Sequence, residues 1–285
     1  MQRIFVGDVQ GCADELEEIL ARARREYGNA FELWSVGDVV NRGPESHRAL
    51  ARVREHVEAG RGQLVLGNHE IALLARWLGI RGHQATDTME DLLERPDLDE
   101  WCEWLRRRPL ALAGELGRRP FLMVHASVQP SWTRDEALAA AGKVEAQLAA
   151  ADRDVLKGLL LRRTDALGRL VSCRSVFSNG GWSKELPELL DGAEPWHAAW
   201  RRAGHGYGVV YGHYSMQGLH VAEGLRGLDT GCVHHLRGRD GFLTAWIPDP
   251  RDADPFRTPD ARFWQVLARR RYYRFDDDAP REKNP

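Results

Sequence analysis

Short apolar runs that stop at a glycine followed by a polar residue recur through the first third of the chain. Residues 3–6 read as a strand ending at Gly7-Asp8, and Leu16, Ile19, Leu20 and Ala23 then recur at helical spacing between Asp14 and Tyr27. The pattern repeats twice. Residues 31–36 are strand-like and end at Gly37-Asp38, Leu50, Val53 and Val57 mark a helix face, and residues 63–66 are strand-like and end at Gly67-Asn68. Three such β–α units, joined by right-handed crossovers, predict parallel strands whose polar loops line one edge, where such sheets bind ligands.

Beyond residue 80 the pattern changes. Residues 81–108 are charged and carry Trp101 and Trp104, which predicts a helical insertion or cap over 79–108 packed on the core. Residues 121–124 form a buried-strand run ending at His125, and residues 208–211 form another ending at Gly212-His213. Between them an alanine-rich helix is predicted over 135–151, followed by an irregular segment that carries Trp182 and Trp196. After strand-like residues 225–228 and 242–247 the chain turns proline-rich and charged. This predicts a catalytic domain at 1–248 and a solvated, partly helical tail at 249–285.

Composition narrows the partners. Against 40 basic residues stand 42 acidic ones, a formal charge of −2, so no global field draws the protein to nucleic acid or membrane and an anion must be met locally. The first strand leaves no room for a secretion signal, and no run approaches the roughly 18 apolar residues of a membrane span. Cys12, Cys102, Cys173 and Cys232 are far apart with no CxxC pair, which indicates neither a zinc site nor a disulfide framework and suits a reducing cytoplasm.

The candidate chemistry sits at the strand ends. Gly7-Asp8-Val9-Gln10-Gly11, Gly37-Asp38-Val39-Val40-Asn41-Arg42-Gly43 and Gly67-Asn68-His69-Glu70 place oxygen and nitrogen ligands beside an arginine. A lone Gly-Asp after a strand is usually a turn or helix cap, and a lone histidine ending an apolar strand is usually structural. Here like residues recur at like positions of successive units, with His125 and His213 after two further strands, and together they point to two metals gripping a phosphate. Two divalent ions about 3.5–4 Å apart serve phosphoryl transfer, and carboxylate, amide and imidazole ligands suit manganese, cobalt or magnesium. His234-His235 also has tempting spacing, but adjacent strand residues point to opposite faces, so this pair is not expected on the site.

In this order and after strands, these blocks resemble the motifs of the phosphoprotein-phosphatase-type metallophosphoesterases. Asn41-Arg42-Gly43-Pro44-Glu45-Ser46, His125-Ala126-Ser127-Val128-Gln129-Pro130-Ser131-Trp132, Tyr211-Gly212-His213 and Leu228-Asp229-Thr230-Gly231-Cys232 are similar to the symmetrical diadenosine tetraphosphatase branch in particular. The resemblance covers residues 4–247 and implies an α/β, calcineurin-like fold: a central β-sandwich of mixed sheets flanked by helices in four layers. Periodicity alone supports only α/β. The resemblance further implies that Asp8, Gln10 and Asp38 hold one metal and that Asp38, Asn68, His125 and His213 hold the other. It makes Arg42 a phosphate clamp, His69 an acid or hydrogen-bond donor beside the leaving oxygen, and a metal-activated hydroxide the nucleophile. The implied reaction cleaves diadenosine tetraphosphate to two ADP at an inner phosphate, with nucleoside-tetraphosphate-capped RNA as a secondary substrate.

Two positions depart from the wider superfamily, which usually has His at Gln10 and Asp at Asn41. Gln10 keeps a ligand oxygen weaker than imidazole for transition metals, so that metal is expected to bind more loosely. Asn41 cannot hold His69 as an ion pair. A serine alkoxide needs a proton to leave, whereas a nucleoside diphosphate departs as an anion, so Asn41 argues for an anhydride substrate over a phosphoprotein. Adenine stacking, worth about 1–3 kcal/mol, is expected at Trp132, Trp182 or Tyr214, of which Trp132 and Trp182 otherwise read as core or lid packing. Arg162, Arg163 or Arg174 are expected to meet further phosphates. The competing readings are a serine/threonine or broad-specificity protein phosphatase on the same site and a degenerate nucleotide-binding sensor in which Gln10 and Asn41 mark lost catalysis.

Overall fold

A computed structural model of the chain describes residues 1–272 apart from 151, 163, 235–239 and 258–261. Strand β1 (Gln2–Val6), helix α1 (Ala13–Tyr27), β2 (Phe31–Ser35), α2 (Ser46–Glu58), β3 (Gly62–Leu64) and α3 (Asn68–Trp77) form the three expected β–α units. Helix α1 shows why the local sequence folds this way. Leu16, Ile19, Leu20 and Ala23 bury one face, Asp14 and Glu15 in the first turn and Arg24 and Arg25 in the last complement the helix dipole, and Gly28 at φ +60° ends it.

Short helices α4 (Glu90–Leu93) and α5 (Leu98–Leu105) follow, then the hairpin β4 (Ala111–Leu116) and β5 (Arg119–Val124). The predicted insertion is thus two short helices after an irregular stretch, and Met89, Leu92, Trp101 and Leu105 are buried against the body. The alanine-rich helix is α6 (Arg134–Leu148), shorter than expected and capped by the Thr133 hydroxyl accepting from Glu136 N–H. Helices α7 (Arg153–Arg162) and α8 (Asp165–Ser172) come next. A small sheet of β6 (Ser175–Phe177), β7 (Trp182–Ser183) and β8 (Ala193–Pro195) and helix α9 (Trp196–Ala203) precede β9 (Gly208–Tyr211), β10 (His220–Ala222), β11 (Leu225–Gly227), β12 (Asp229–Thr230), β13 (Phe242–Trp246) and β14 (Phe263–Leu267).

Two mixed sheets result. One runs β12-β13-β1-β2-β3, with β1, β2 and β3 parallel and β13 antiparallel to β1; the other runs β10-β11-β9-β5-β4, with β11, β9 and β5 parallel. Alternation along the strands sorts their side chains. Phe5, Trp34, Phe121, Met123 and Trp246 form one core cluster, while Ile4, Val6, Leu122 and Val124 join the larger cluster that includes the helices. Phe5 lies 5.4–5.5 Å from the rings of Trp34, Phe121 and Trp246, so the sheets are joined through aromatic packing worth about 1.5–3 kcal/mol per fully buried side chain. This is the β-sandwich flanked by helices that the family resemblance implied.

For the described residues the expected solvated, partly helical tail is replaced by a strand packed on the sandwich. Strand β14 pairs along β13 from Phe242–Leu267 to Trp246–Phe263, and Phe256 and Trp264 are buried. An open edge of β13 and an apolar pocket for Phe256 turn a charged segment into part of the core.

Candidate active site

The C-terminal ends of β1, β2, β3, β5 and β9 converge as the topology requires, bringing Asp8, Asp38, Asn68, His125 and His213 to one edge of the sandwich. Asp38 is central. Its Oδ1 accepts from His69 N–H at 2.8 Å, and its Oδ2 lies 3.3 Å from His125 Nε2 and 3.6 Å from His69 Nε2. Asn68 Oδ1 lies 3.2 Å from the same His125 nitrogen. Ligand atoms of Asp38, His125 and His213 fall within 4.8 Å of one another, all on buried residues. Asp8 joins from the other side, both its oxygens 3.1 Å from His213 N–H. Gln10 is tied in through its backbone, which donates to the Asp38 carbonyl at 2.8 Å.

These loops are strained in a consistent way. Among the described residues the non-glycine positions with left-handed φ are Gln10, Asp38, Asn41, Arg42 and His213, all in the loops that form the site. Such conformations cost about 1–3 kcal/mol each and persist only where surrounding contacts over-determine them. Glu70 supplies much of that restraint. Its buried carboxylate accepts from Asp38 N–H and Gly67 N–H through Oε2 and from Val39 and Val40 N–H through Oε1, at 2.8–3.2 Å. Glycine is required where the carboxylates are wedged against backbone: a Cβ on Gly67 would overlap Asp38 Oδ1, and one on Gly212 would overlap Asp8 Oδ1.

The donor set fits divalent cations. A carbonyl can only accept, so His125 Nδ1–H donates to Val36 O at 2.8 Å and His213 Nε2–H donates to Ser172 O at 3.0 Å. In a neutral ring the other nitrogen then carries a lone pair, as second-shell carbonyls arrange it in metal-binding histidines. Burial, then the Arg174 charge, pushes His213 well below the usual histidine range, which keeps it neutral. Burial also pushes His125 down, but the Asp38 charge and hydrogen bond outweigh it and hold that ring above its usual value. Burial pushes Asp38 up, and the charges of His125 and His69 reverse this, leaving it ionised far below the carboxylate range. A carboxylate that draws a proton onto an adjacent imidazole holds the place where a cation would compete with that proton.

A cavity of about 170 Å³ opens onto this cluster, lined by Gln10, Asp38, Arg42, Asn68, His69 and Arg174 together with His213, Ser215, Asp229 and His234. Arg174 is one of the lining residues, and burial lowers its pKa against the nearby Asp229. Arg162 is not: it is exposed on α7 with its Nε on Gly158 O, and Arg163 lies outside the described residues. The aromatic candidates also fall elsewhere. Trp182 packs over Gly168, with Nε1 donating to Asp165 Oδ1 at 2.7 Å, and Trp132 is packed against the large core cluster with its carbonyl accepting from the Tyr207 hydroxyl. Tyr214 backs Arg174, whose Cζ is 5.9 Å from its ring, without lining the cavity itself.

Sequence reasoning passed over three residues here. Glu70 belonged to a recognised block without a role, and Asp229, pushed up to about 6 by burial, lay in a quoted motif without one. His234 lines the cavity after all, its ring pushed down to about 4 by burial. His235 lies outside the described residues. The widely spaced cysteines also meet: Cys12 and Cys232 are free thiols that share with Glu15 a second buried group of ligand atoms within 4.8 Å.

The fold and this constellation define a calcineurin-like metallophosphoesterase. The calcineurin-like phosphoesterase family profile matches residues 1–283. Symmetrical bis(5′-nucleosyl)-tetraphosphatases of Ralstonia nicotianae, Klebsiella pneumoniae and Yersinia pestis are 37%, 35% and 35% identical, over 80%, 81% and 86% of this chain and 84%, 88% and 89% of their own. The chain belongs to the symmetrical bis(5′-nucleosyl)-tetraphosphatase family of hydrolases. Solved structures agree at the level of fold. A candidate diadenosine tetraphosphatase, 22% identical, superposes with a TM-score of 0.60 over 94% of this chain and 93% of that one. A serine/threonine phosphatase from Saccharomyces cerevisiae, 14% identical, does so at 0.53 over 94% and 79%.

Proposed function

We propose that the protein hydrolyses diadenosine tetraphosphate and related dinucleoside tetraphosphates symmetrically, releasing two nucleoside diphosphates. The observation that carries this reading is the state of His69. Burial pushes its pKa down to about 4, and its Nδ1 lies 2.8 Å from Asn41 Nδ2, an amide group that can only donate. The proton of the neutral ring therefore sits on Nε2, on the side of Asp38. A neutral donor suits a leaving nucleoside diphosphate, which departs as an anion and needs a hydrogen bond more than a proton.

Asp8, Gln10 and Asp38 would hold one divalent ion, and Asp38, Asn68, His125 and His213 the other, with manganese or cobalt favoured and magnesium compatible. Bound there, such ions lower the pKa of water and neutralise phosphoryl charge. Arg42 and Arg174 orient the polyphosphate through their guanidinium forks. His69 Nε2–H donates to the bridging oxygen as the P–O–P bond breaks and water supplies the new oxygen on phosphorus. The support for an anhydride over a phosphoprotein is Asn41, which leaves His69 neutral. The four free cysteines support action in a reducing compartment such as the cytoplasm.

Supplying manganese or cobalt and separating the nucleotide products tests the reading. Two ADP per diadenosine tetraphosphate are expected. ATP plus AMP rejects symmetrical cleavage, and phosphopeptide turnover without dinucleotide turnover favours the protein phosphatase.

A further inference from the structure

The catalytic cavity is too small for a nucleoside: about 170 Å³, against the 300–1,000 Å³ typical of small-molecule sites. A second cavity of about 530 Å³ adjoins it through Arg42, which lines both. We propose that this second cavity, walled by Arg42, Pro44, Thr88, Arg270, Arg271 and Tyr272, is the subsite for one nucleoside-phosphate half of the substrate. In this subsite Arg270 and Arg271 meet the phosphates next to the point of cleavage. The inference rests on the dinucleotide reading of the active site and adds to it a role for the C-terminal segment.

The segment after β14 is fastened at this position. Ala268 N–H donates to Gly241 O, Arg269 N–H to Glu15 Oε1, Tyr272 N–H to Val233 O and the Tyr272 hydroxyl to Glu15 Oε1, at 2.8–3.0 Å. Held at both ends, Arg270 and Arg271 are presented to the cavity wall. Arg271 is also close enough to His234, which lines the catalytic cavity, to depress its pKa after burial and Arg42. A line of positive charge thus runs from the cleavage site along Arg42 to Arg271 and Arg270.

Of the three acids on the same wall, Asp87 is already paired with arginines outside the cavity lining, Arg81 at 2.7 Å and Arg76 at 3.4 Å, and Asp91 accepts from His47 N–H at 2.9 Å. Glu90, 3.3 Å from His83, stands at the rim where ribose hydroxyls or an exocyclic amine could donate to it. A polyphosphate bound across the metals would leave its base-bearing end in the larger space, with the Tyr272 ring as an apolar wall.

The test compares wild type with Arg270→Ala/Arg271→Ala. Steady-state kinetics with manganese should show KM for diadenosine tetraphosphate raised about tenfold or more and kcat within about twofold. Turnover of p-nitrophenyl phosphate, which reaches only the small cavity, should be unchanged. ADP binding to the protein without added metal should weaken in parallel. Equal KM and equal ADP affinity in the two proteins would overturn the subsite, as would an equal loss on both substrates. If wild type does not cleave the dinucleotide yet ADP affinity depends on the two arginines, the subsite stands and the proposed reaction fails.

Discussion

Asn41 fixes the tautomer of His69. Its Oδ1 accepts from Arg42 N–H at 2.8 Å and Thr88 N–H at 2.9 Å, which leaves Nδ2 to donate to His69 Nδ1 at 2.8 Å and Asp87 Oδ1 at 3.2 Å. All four hydrogen-bonding positions of the amide are used, so it has no alternative orientation. An Asn41→Asp substitution replaces the donor by an acceptor, which favours Nδ1–H and raises the His69 pKa toward neutrality. Turnover of a phosphoserine peptide, whose alkoxide needs a proton, should rise about tenfold or more near pH 6, with dinucleotide turnover little changed. An unaltered ratio of the two activities in the variant would show that His69 protonation does not select the leaving group.

Two neighbours at the start of α3 should separate binding from rate. Asn68 Oδ1 faces His125 Nε2, whereas His69 lines the cavity with its Nε2 3.6 Å from Asp38 Oδ2. Asn68→Ala should lose metal and activity together. His69→Ala should retain metal, measured by manganese titration, while kcat falls about 10²-fold or more. Metal loss in His69→Ala would place that ring among the ligands instead.

Glu70 makes a further prediction because it touches no ligand atom and still shapes the site. Four backbone N–H groups from residues 38, 39, 40 and 67 point at one carboxylate. Glu70→Gln turns one of its oxygens into an NH2 group facing donors, and leaving buried donors unsatisfied costs about 1–3 kcal/mol each. Urea unfolding should show a loss of about 2–4 kcal/mol, and metal affinity should fall because Asp38 is no longer held in its left-handed conformation. Wild-type stability and metal affinity in this variant would show that the loop holds itself.

The parts of this site that were legible from sequence are those in which local pattern and chemistry coincide. Each β–α unit announces itself by an apolar run, a glycine and a polar residue, and parallel topology does the converging. Glu70 was only half legible: its bond to Gly67 is local, but its other donors lie 30 to 32 residues upstream. His234 lines the cavity from a turn, where its N–H donates to Gly231 O at 3.0 Å, so the alternation of a strand does not govern it. Strand β14 depends on an edge of β13 that no local pattern reveals. Trp182 is drawn from the site by the bare face of Gly168, a packing fact visible only in three dimensions.

Acid sensitivity should arise away from the metals, where the rings of His197 and His220 meet at a tilt of 51° with centroids 4.5 Å apart. His220 Nδ1 lies 2.5 Å from the Tyr211 hydroxyl, which donates to Gln217 Oε1 at 2.9 Å, and Gln217 Nε2 donates to His197 Nε2 at 2.7 Å. A proton on His197 Nε2 would face that amide donor. Burial, then the neighbouring ring, lowers His197 to about 3, and burial, then Arg201, lowers His220 to about 4. Both folded values lie below the unfolded value near 6.5. The contribution is therefore intact above pH 6.5 and is lost as pH falls toward 4, because the unfolded chain takes up protons that the folded rings refuse. Each ring can lower stability by up to about 1.4 kcal/mol per pH unit in that window. His197→Gln keeps an acceptor for Gln217 but cannot be protonated, so its melting temperature should fall less than that of wild type between pH 6.5 and 4.5. Parallel melting curves for the two proteins across that range would remove this pair as a source of acid instability.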